Sequence, residues 1–131
     1  METPAACLRT ASYRGDLRDV RQLLAEGVDP NAADEHHRTA LSLAACGGHI
    51  EIMDVLISSG AWVDPHEDYD VYETPLMAAV IHGQFEAVKK LIGAGANPWL
   101  HVGVSQRTAE AYAKSYGHEE IASYLAGLPQ K

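Results

Sequence analysis

The chain contains nearly the same segment four times, and this internal repeat limits its fold more than any other feature. The related segments cover residues 6–31, 39–64, 74–99 and 108–125. An inner glycine recurs at spacings of 33, 35 and 34 residues: Gly15, Gly48, Gly83 and Gly117. An outer glycine recurs in step with it: Gly27, Gly60 and Gly95. A unit this short cannot bury its own apolar face, so the repeat predicts units that stack on one another.

Each unit is predicted to be two short helices joined at the inner glycine. Thr39 and Thr74 are good N-cap residues, and Pro75 suits the first helical position because its missing N–H is not needed there. The inner glycine ends the first helix, and the outer glycine ends the second. The predicted helices are 5–13, 17–25, 40–47, 50–58, 75–82, 85–93, 109–116 and 119–126.

With these features the chain resembles the ankyrin-repeat family. The motif TPLMAA at 74–79 is close to the family's opening motif, and TALSLA at 39–44 is a looser version. Other motifs typical of the family are GHIEI at 48–52, GHEEI at 117–121 and AGANP at 94–98. The resemblance implies an all-α ankyrin-repeat solenoid, a single domain over 1–131, with about four helix-turn-helix units and projecting hairpin-like loops. The expected units are 4–36, 37–70, 71–104 and 105–128, of which the first and last are caps.

The chain departs from the family at two loop positions. Where the family usually has a glycine that turns the loop, this chain has His37, Tyr72 and Gln106, so we expect the loop tips to turn differently. Ser42 and Met77 replace the histidine of the opening motif. That replacement should remove one loop hydrogen bond.

Composition bounds the location and the partner. The 131 residues contain no apolar run of the ~18 residues that a bilayer span requires. The N-terminal METPAACLRT has a glutamate where a secretory signal needs positive charge, and no apolar core follows, so we expect a cytoplasmic protein without membrane association. A net charge of −8 argues against a nucleic-acid partner, because that affinity comes from Lys and Arg. It permits a protein partner with a basic surface, and we expect a monomer when free.

The residues that could carry chemistry are better explained as structural or solvated. The resemblance implies that His49 and His118 stabilise the turns that they follow. No spacing among the other histidines, and no pairing of Cys7 with Cys46, fixes a metal site. Phosphate-binding glycine loops and nucleophile motifs are also missing from the sequence. We therefore expect no catalytic residue, metal or cofactor.

What remains is the surface, and two loops stand out on it. The segment 64–73 carries five acids and two tyrosines without Lys or Arg, whereas 97–107 is apolar and aromatic. Trp99 could contact a partner or pack within its own loop. The resemblance implies binding through the loops and the concave face of the first helices. The expected contact residues are Tyr13, Arg14, His36, Arg38, Trp62, His66, Glu67, Asp68, Tyr69, Asp70, Tyr72, Glu73, His82, Trp99, His101, Arg107 and Tyr116.

The resulting prediction is a non-catalytic protein-binding module. One alternative is an inhibitor or immunity-type protein that neutralises a cognate toxin or enzyme, and another is an adaptor that recruits a client. A remote third class is an enzyme or metal protein that uses the loop histidines.

Overall fold

The computed structural model describes residues 2–64, 74–100 and 108–129. Eight helices lie within these ranges: α1 (Pro4–Arg14), α2 (Leu17–Ala25), α3 (Ala40–Gly47), α4 (Ile50–Ser58), α5 (Pro75–Ile81), α6 (Phe85–Gly93), α7 (Ala109–Ser115) and α8 (Glu119–Ala126). The predicted helices are confirmed, and each end agrees with the structure to within one residue. None of the helices in the described ranges is both long and apolar enough to cross a membrane.

A threonine is the N-cap residue of the first helix in every unit. The side chains of Thr3, Thr39, Thr74 and Thr108 each accept a hydrogen bond from the backbone N–H three residues later. Proline stands in the first turn of α1 and α5. These bonds satisfy one of the backbone donors that a helix start leaves free, so each unit carries its own start signal in the sequence.

Ser42 replaces the opening histidine and makes hydrogen bonds of its own. Its Oγ accepts from the Thr39 N–H at 2.9 Å and donates to the Thr39 carbonyl at 2.9 Å. The Thr39 hydroxyl accepts in return from the Ser42 N–H at 3.2 Å, which completes a capping box. The helix start is thus held locally in this unit.

The inner glycine Gly83 is required for two reasons. Its φ is +69°, in the left-handed region that L side chains rarely adopt. A Cβ atom at this position would also lie 2.8 Å from Cε1 of His118, a side chain of the following unit. The glycine therefore both turns the chain and leaves room for the next repeat.

Two layers of helices form the stack. The inner helices α1, α3, α5 and α7 contact each other in chain order, and so do the outer helices α2, α4, α6 and α8. The apolar core runs along the interface and includes Leu41, Leu56, Leu76 and Leu91. Pro75 to Val80 of α5 are all buried, whereas Val20 is the one buried residue of α2. Each unit in the middle of the stack is thus covered by its neighbours on both sides.

Candidate binding groove

The inner helices and the first loop enclose one side of an open groove of about 1130 Å³, which we call the inner groove. On α1 its lining follows the helical spacing of one face, from Ala6 through Thr10 to Tyr13. The described lining residues are Ala6, Arg9, Thr10, Tyr13, Arg14, Asp34, Glu35, His36, Arg38, Ser42, Leu43, Cys46, Ala78 and His82. Three units therefore contribute to the same surface.

Asp34 organises the loop that forms one wall of the inner groove. Its Oδ1 accepts from the N–H groups of His36 at 2.8 Å and Arg38 at 2.9 Å, and its Oδ2 accepts from Arg38 Nε at 2.9 Å. The backbone closes a hairpin, since the Asp34 N–H donates to the Arg38 carbonyl at 3.0 Å. Burial raises the pKa of Asp34, but the bonds from Arg38 and His36 outweigh it and lower the pKa below its ordinary value.

At His37, this loop corrects the expectation that the tips turn differently from a glycine-containing loop. His37 has φ +61° and so adopts the left-handed conformation for which glycine is usually needed. Its N–H donates to the Asp34 carbonyl at 2.9 Å. The bonds to Asp34 offset the cost of that conformation. The equivalent positions Tyr72 and Gln106 lie outside the described residues.

Arginine supplies most of the charge in the inner groove. Arg9 uses Nη1 to donate to the Ala32 carbonyl at 2.9 Å, and Arg38 pairs with Asp34. Arg14 is exposed, and its side chain makes no hydrogen bond or ion pair within the described part of the chain. Beside these arginines, Tyr13 is 55% exposed. The described surface of the groove thus combines an open aromatic ring with free guanidinium donors.

The structure brings five of the expected contact residues together in the inner groove, namely Tyr13, Arg14, His36, Arg38 and His82. Two more are exposed but do not belong to its described lining: Trp62 at 45% and Tyr116 at 54%.

Trp99 is half-buried, and its neighbour Leu100 packs against the core. The other expected contacts lie outside the described residues: His66, Glu67, Asp68, Tyr69, Asp70, Tyr72, Glu73, His101 and Arg107. The acidic and aromatic loops therefore stay a prediction.

Sequence reasoning missed Arg9, Thr10 and Asp34. Arg9 and Thr10 lie one helical turn before Tyr13 and Arg14, so the helical period of the first unit was the signal for them. Asp34 was visible as an acid at the start of a tight loop, where such side chains often accept backbone N–H bonds.

A second set of contacts joins consecutive units at the inner glycines. Nε2 of His49 lies 3.0 Å from the Tyr13 carbonyl oxygen, and Nε2 of His118 lies 3.1 Å from that of Ile81. Because a carbonyl only accepts, each ring nitrogen must donate. Gln84 makes the equivalent bond, with Nε2 donating to the Cys46 carbonyl at 3.1 Å.

His49 and His118 thus make the turn contacts that the resemblance implied, while the role of Gln84 was not foreseen. Within residues 2–64, 74–100 and 108–129, no three His, Cys, Asp or Glu side chains are grouped to hold a metal ion. Cys7 and Cys46 are both free thiols.

A third set of contacts joins the segments that follow the outer glycines. Asn31 donates from Nδ2 to the Gly60 carbonyl at 3.0 Å and accepts at Oδ1 from the Trp62 N–H at 2.8 Å. Asp64 is the equivalent residue one unit later, and its Oδ2 accepts from the Asn97 N–H at 2.8 Å. Its Oδ1 is buried without a hydrogen-bond partner. Burial raises the pKa of Asp64, and the bond from the Asn97 N–H opposes that rise only in part.

Comparison with known proteins agrees with this architecture. A family model described as ankyrin repeats (3 copies) matches residues 8–102 and 71–130. The chain is 31% identical over 129 residues to the RelA-associated inhibitor of Mus musculus, covering 97% of this chain and 15% of that protein. It is 35% identical over 102 residues to E3 ubiquitin-protein ligase XB3 of Oryza sativa subsp. japonica, covering 75% of this chain and 22% of that protein.

A further relative is serine/threonine-protein kinase 12 of Arabidopsis thaliana, which is 33% identical over 77 residues, or 59% of this chain and 16% of that protein. The chain therefore spans about a quarter or less of the length of these relatives. The activities in their names do not carry over to it on this similarity.

Proposed function

The chain belongs to the ankyrin-repeat family, and we propose that it is a non-catalytic protein-binding module whose partner lies in the inner groove. The observation that carries the proposal is the convergence of three units on that groove. Its volume of about 1130 Å³ exceeds the usual size of a small-molecule pocket and suits a segment of another protein. Tyr13 offers a large, rigid contact surface at its edge, as aromatic residues do at protein interfaces.

Two forms of this function differ in what the binding achieves. An inhibitor, which includes the immunity type, would block its partner, whereas an adaptor would recruit it. The similarity to a protein named RelA-associated inhibitor covers 97% of this chain but only 15% of that protein, so that name does not decide between the two forms. A cytoplasmic location and a monomeric free state are part of the proposal.

The loops at 64–73 and 97–107 are proposed as a second contact region. The acids Glu67, Asp68, Asp70 and Glu73 of the first loop suit basic groups on the partner, and mutations there should slow association more than they speed dissociation. The described lining of the inner groove includes no residue of these loops, so the two can be tested with different variants. The variant Glu67→Lys combined with Asp68→Lys addresses the acidic loop alone.

The test uses two tyrosines of nearly equal exposure. Tyr13 is 55% exposed and lines the inner groove, whereas Tyr116 is 54% exposed and lies outside its described lining. After a partner is isolated by co-purification, its affinity is measured for Tyr13→Ala and Tyr116→Ala. We expect Tyr13→Ala to weaken binding by about tenfold or more, as for an interface hot spot, and Tyr116→Ala to leave it nearly unchanged. Equal effects, or none at Tyr13, would refute a groove-bound partner.

A further inference from the structure

The described lining of the inner groove carries net charge of the opposite sign to the chain as a whole. The protein has 18 Asp and Glu against 10 Lys and Arg. The described lining of the groove has three arginines, Arg9, Arg14 and Arg38, against the two acids Asp34 and Glu35. A positive surface on an acidic protein selects its ligand by charge, because the rest of the molecule repels acidic groups while this surface attracts them.

The acids of the groove are less available to a ligand than the arginines are. Both carboxylate oxygens of Asp34 already accept hydrogen bonds within the hairpin. Oε1 of Glu35 lies 3.5 Å from Nε2 of His36, and both side chains are largely exposed. Arg14, by contrast, has no partner in the described structure, and Arg9 uses only Nη1. The unsatisfied groups that face the groove are therefore mainly guanidinium donors.

Guanidinium groups bind carboxylates better than any other side chain does, because the planar fork matches the two oxygens. Apolar surface from Leu43 and the exposed ring of Tyr13 lies in the same groove. We infer that the inner groove binds an acidic segment of the partner protein, with Arg14 as the principal carboxylate contact. This inference rests on the proposed function and specifies the chemistry of what that site takes.

The experiment selects a ligand without assuming one. A phage-displayed library of random twelve-residue peptides is panned on the immobilised full chain, and the most enriched peptide is synthesised with a fluorescent label. Its affinity is then measured by anisotropy for the unchanged chain, Arg14→Glu and Arg18→Glu. Arg18 is a matched control, since it is an exposed arginine on α2 outside the described groove lining. Circular dichroism shows whether each variant is folded.

We expect the enriched peptides to be rich in Asp and Glu. Arg14→Glu should weaken their binding by about tenfold or more, whereas Arg18→Glu should change it by less than about twofold. Arg14→Lys should recover part of the affinity, because it restores the charge but not the fork. Affinity should also fall as the salt concentration rises.

Two results would overturn the inference. One is enrichment of neutral or basic peptides whose binding Arg14→Glu leaves unchanged or strengthens. The other is acidic peptides that lose the same affinity in Arg14→Glu and Arg18→Glu, which would indicate a general charge effect. In either case, sensitivity of the bound peptide to Tyr13→Ala would leave the groove as the protein-binding site. Insensitivity to Tyr13→Ala would refute the proposed function as well.

Discussion

Asp64 occupies in the second unit the place that Asn31 occupies in the first, and replacing it with asparagine should stabilise the chain. Each residue stands four positions after its outer glycine and accepts a backbone N–H of the next unit. Asn31 also donates to the carbonyl of Gly60, whose equivalent one unit later is Gly95. An ionised Asp64 has no proton to donate, and its Oδ1 is buried without a partner. Asparagine would keep the acceptor and supply the missing donor.

The expected gain in stability can be calculated from the unpartnered Oδ1 of Asp64. A buried polar atom without a partner costs about 1–3 kcal/mol, and a new hydrogen bond contributes about 1 kcal/mol net. Because Asp64 is only half-buried, the lower end applies, and we expect Asp64→Asn to raise the free energy of unfolding by about 1 kcal/mol at neutral pH. For a domain of this size that corresponds to a melting temperature higher by about 4 °C.

The gain should depend on pH with a defined sign. The pKa of Asp64 is raised by burial, so the folded chain holds this proton more tightly than the unfolded chain does. Protonated Asp64 therefore contributes stability that is present below the ordinary pKa of an aspartate and is lost as the pH rises through the raised pKa. The advantage of Asp64→Asn should be largest at neutral pH and should shrink as the pH falls through that raised value.

Urea denaturation followed by circular dichroism measures the effect, and two variants isolate its cause. Asp29→Asn removes one negative charge from the equivalent segment of the first unit, at a side chain whose Oδ1 accepts only the exposed Asn31 N–H. It should change stability by less than about 0.5 kcal/mol. Asn31→Asp should cost about 1–2 kcal/mol, because it removes the donor to Gly60. Equal gains from Asp64→Asn and Asp29→Asn, or a loss from Asp64→Asn, would refute the reasoning.

Three other predictions concern the turns and the hairpin. Gly117 has φ +77°, but a Cβ atom there would have no other atom within 4 Å, so Gly117→Ala should lower the free energy of unfolding by about 1 kcal/mol. Gly83→Ala should lower it by about 1 kcal/mol or more in addition, because the new Cβ would also contact His118. Equal losses in urea denaturation would contradict this. His118→Ala should lower the free energy of unfolding by about 1 kcal/mol, and His118→Gln should recover most of that loss, since Gln84 already makes the equivalent bond. Equal melting temperatures for the two variants would count against this prediction. The pKa of Asp34 is lowered, so its stabilising effect is present above the ordinary aspartate pKa and is lost as the pH falls through the lowered value. Asp34→Ala should therefore be less stable than the unchanged chain at neutral pH and as stable as the unchanged chain in acid. Melting curves across that pH range measure the difference.

The repeat made most of the fold predictable. Threonine, proline and glycine act through local backbone chemistry, so the bounds of a helix such as α5 follow from Thr74, Pro75 and Gly83. The conformation at His37 was not predictable in this way, because it depends on several bonds that converge on Asp34.

The candidate site was predictable only in part. Residues at the end of α1, such as Tyr13 and Arg14, were identified, but Arg9 was missed because its place in the groove depends on how three units stack. Gln84 was missed for a different reason. Its bond to the Cys46 carbonyl matches those of His49 and His118 in geometry but not in residue type.

The bonds between units have a consequence for how such a chain can lengthen. In the hydrogen bonds at the inner turns and beyond the outer glycines one partner is backbone: the carbonyls of Tyr13, Cys46 and Ile81, and the peptide groups near Gly60. The ion pair of Lys90 with Asp54, by contrast, joins two side chains. Every unit presents these peptide groups whatever its side chains are. For these hydrogen bonds, a duplicated unit therefore needs no matching substitution in its neighbour. Surface residues such as Arg14 are then free to diverge in one copy while the joint between copies stays intact.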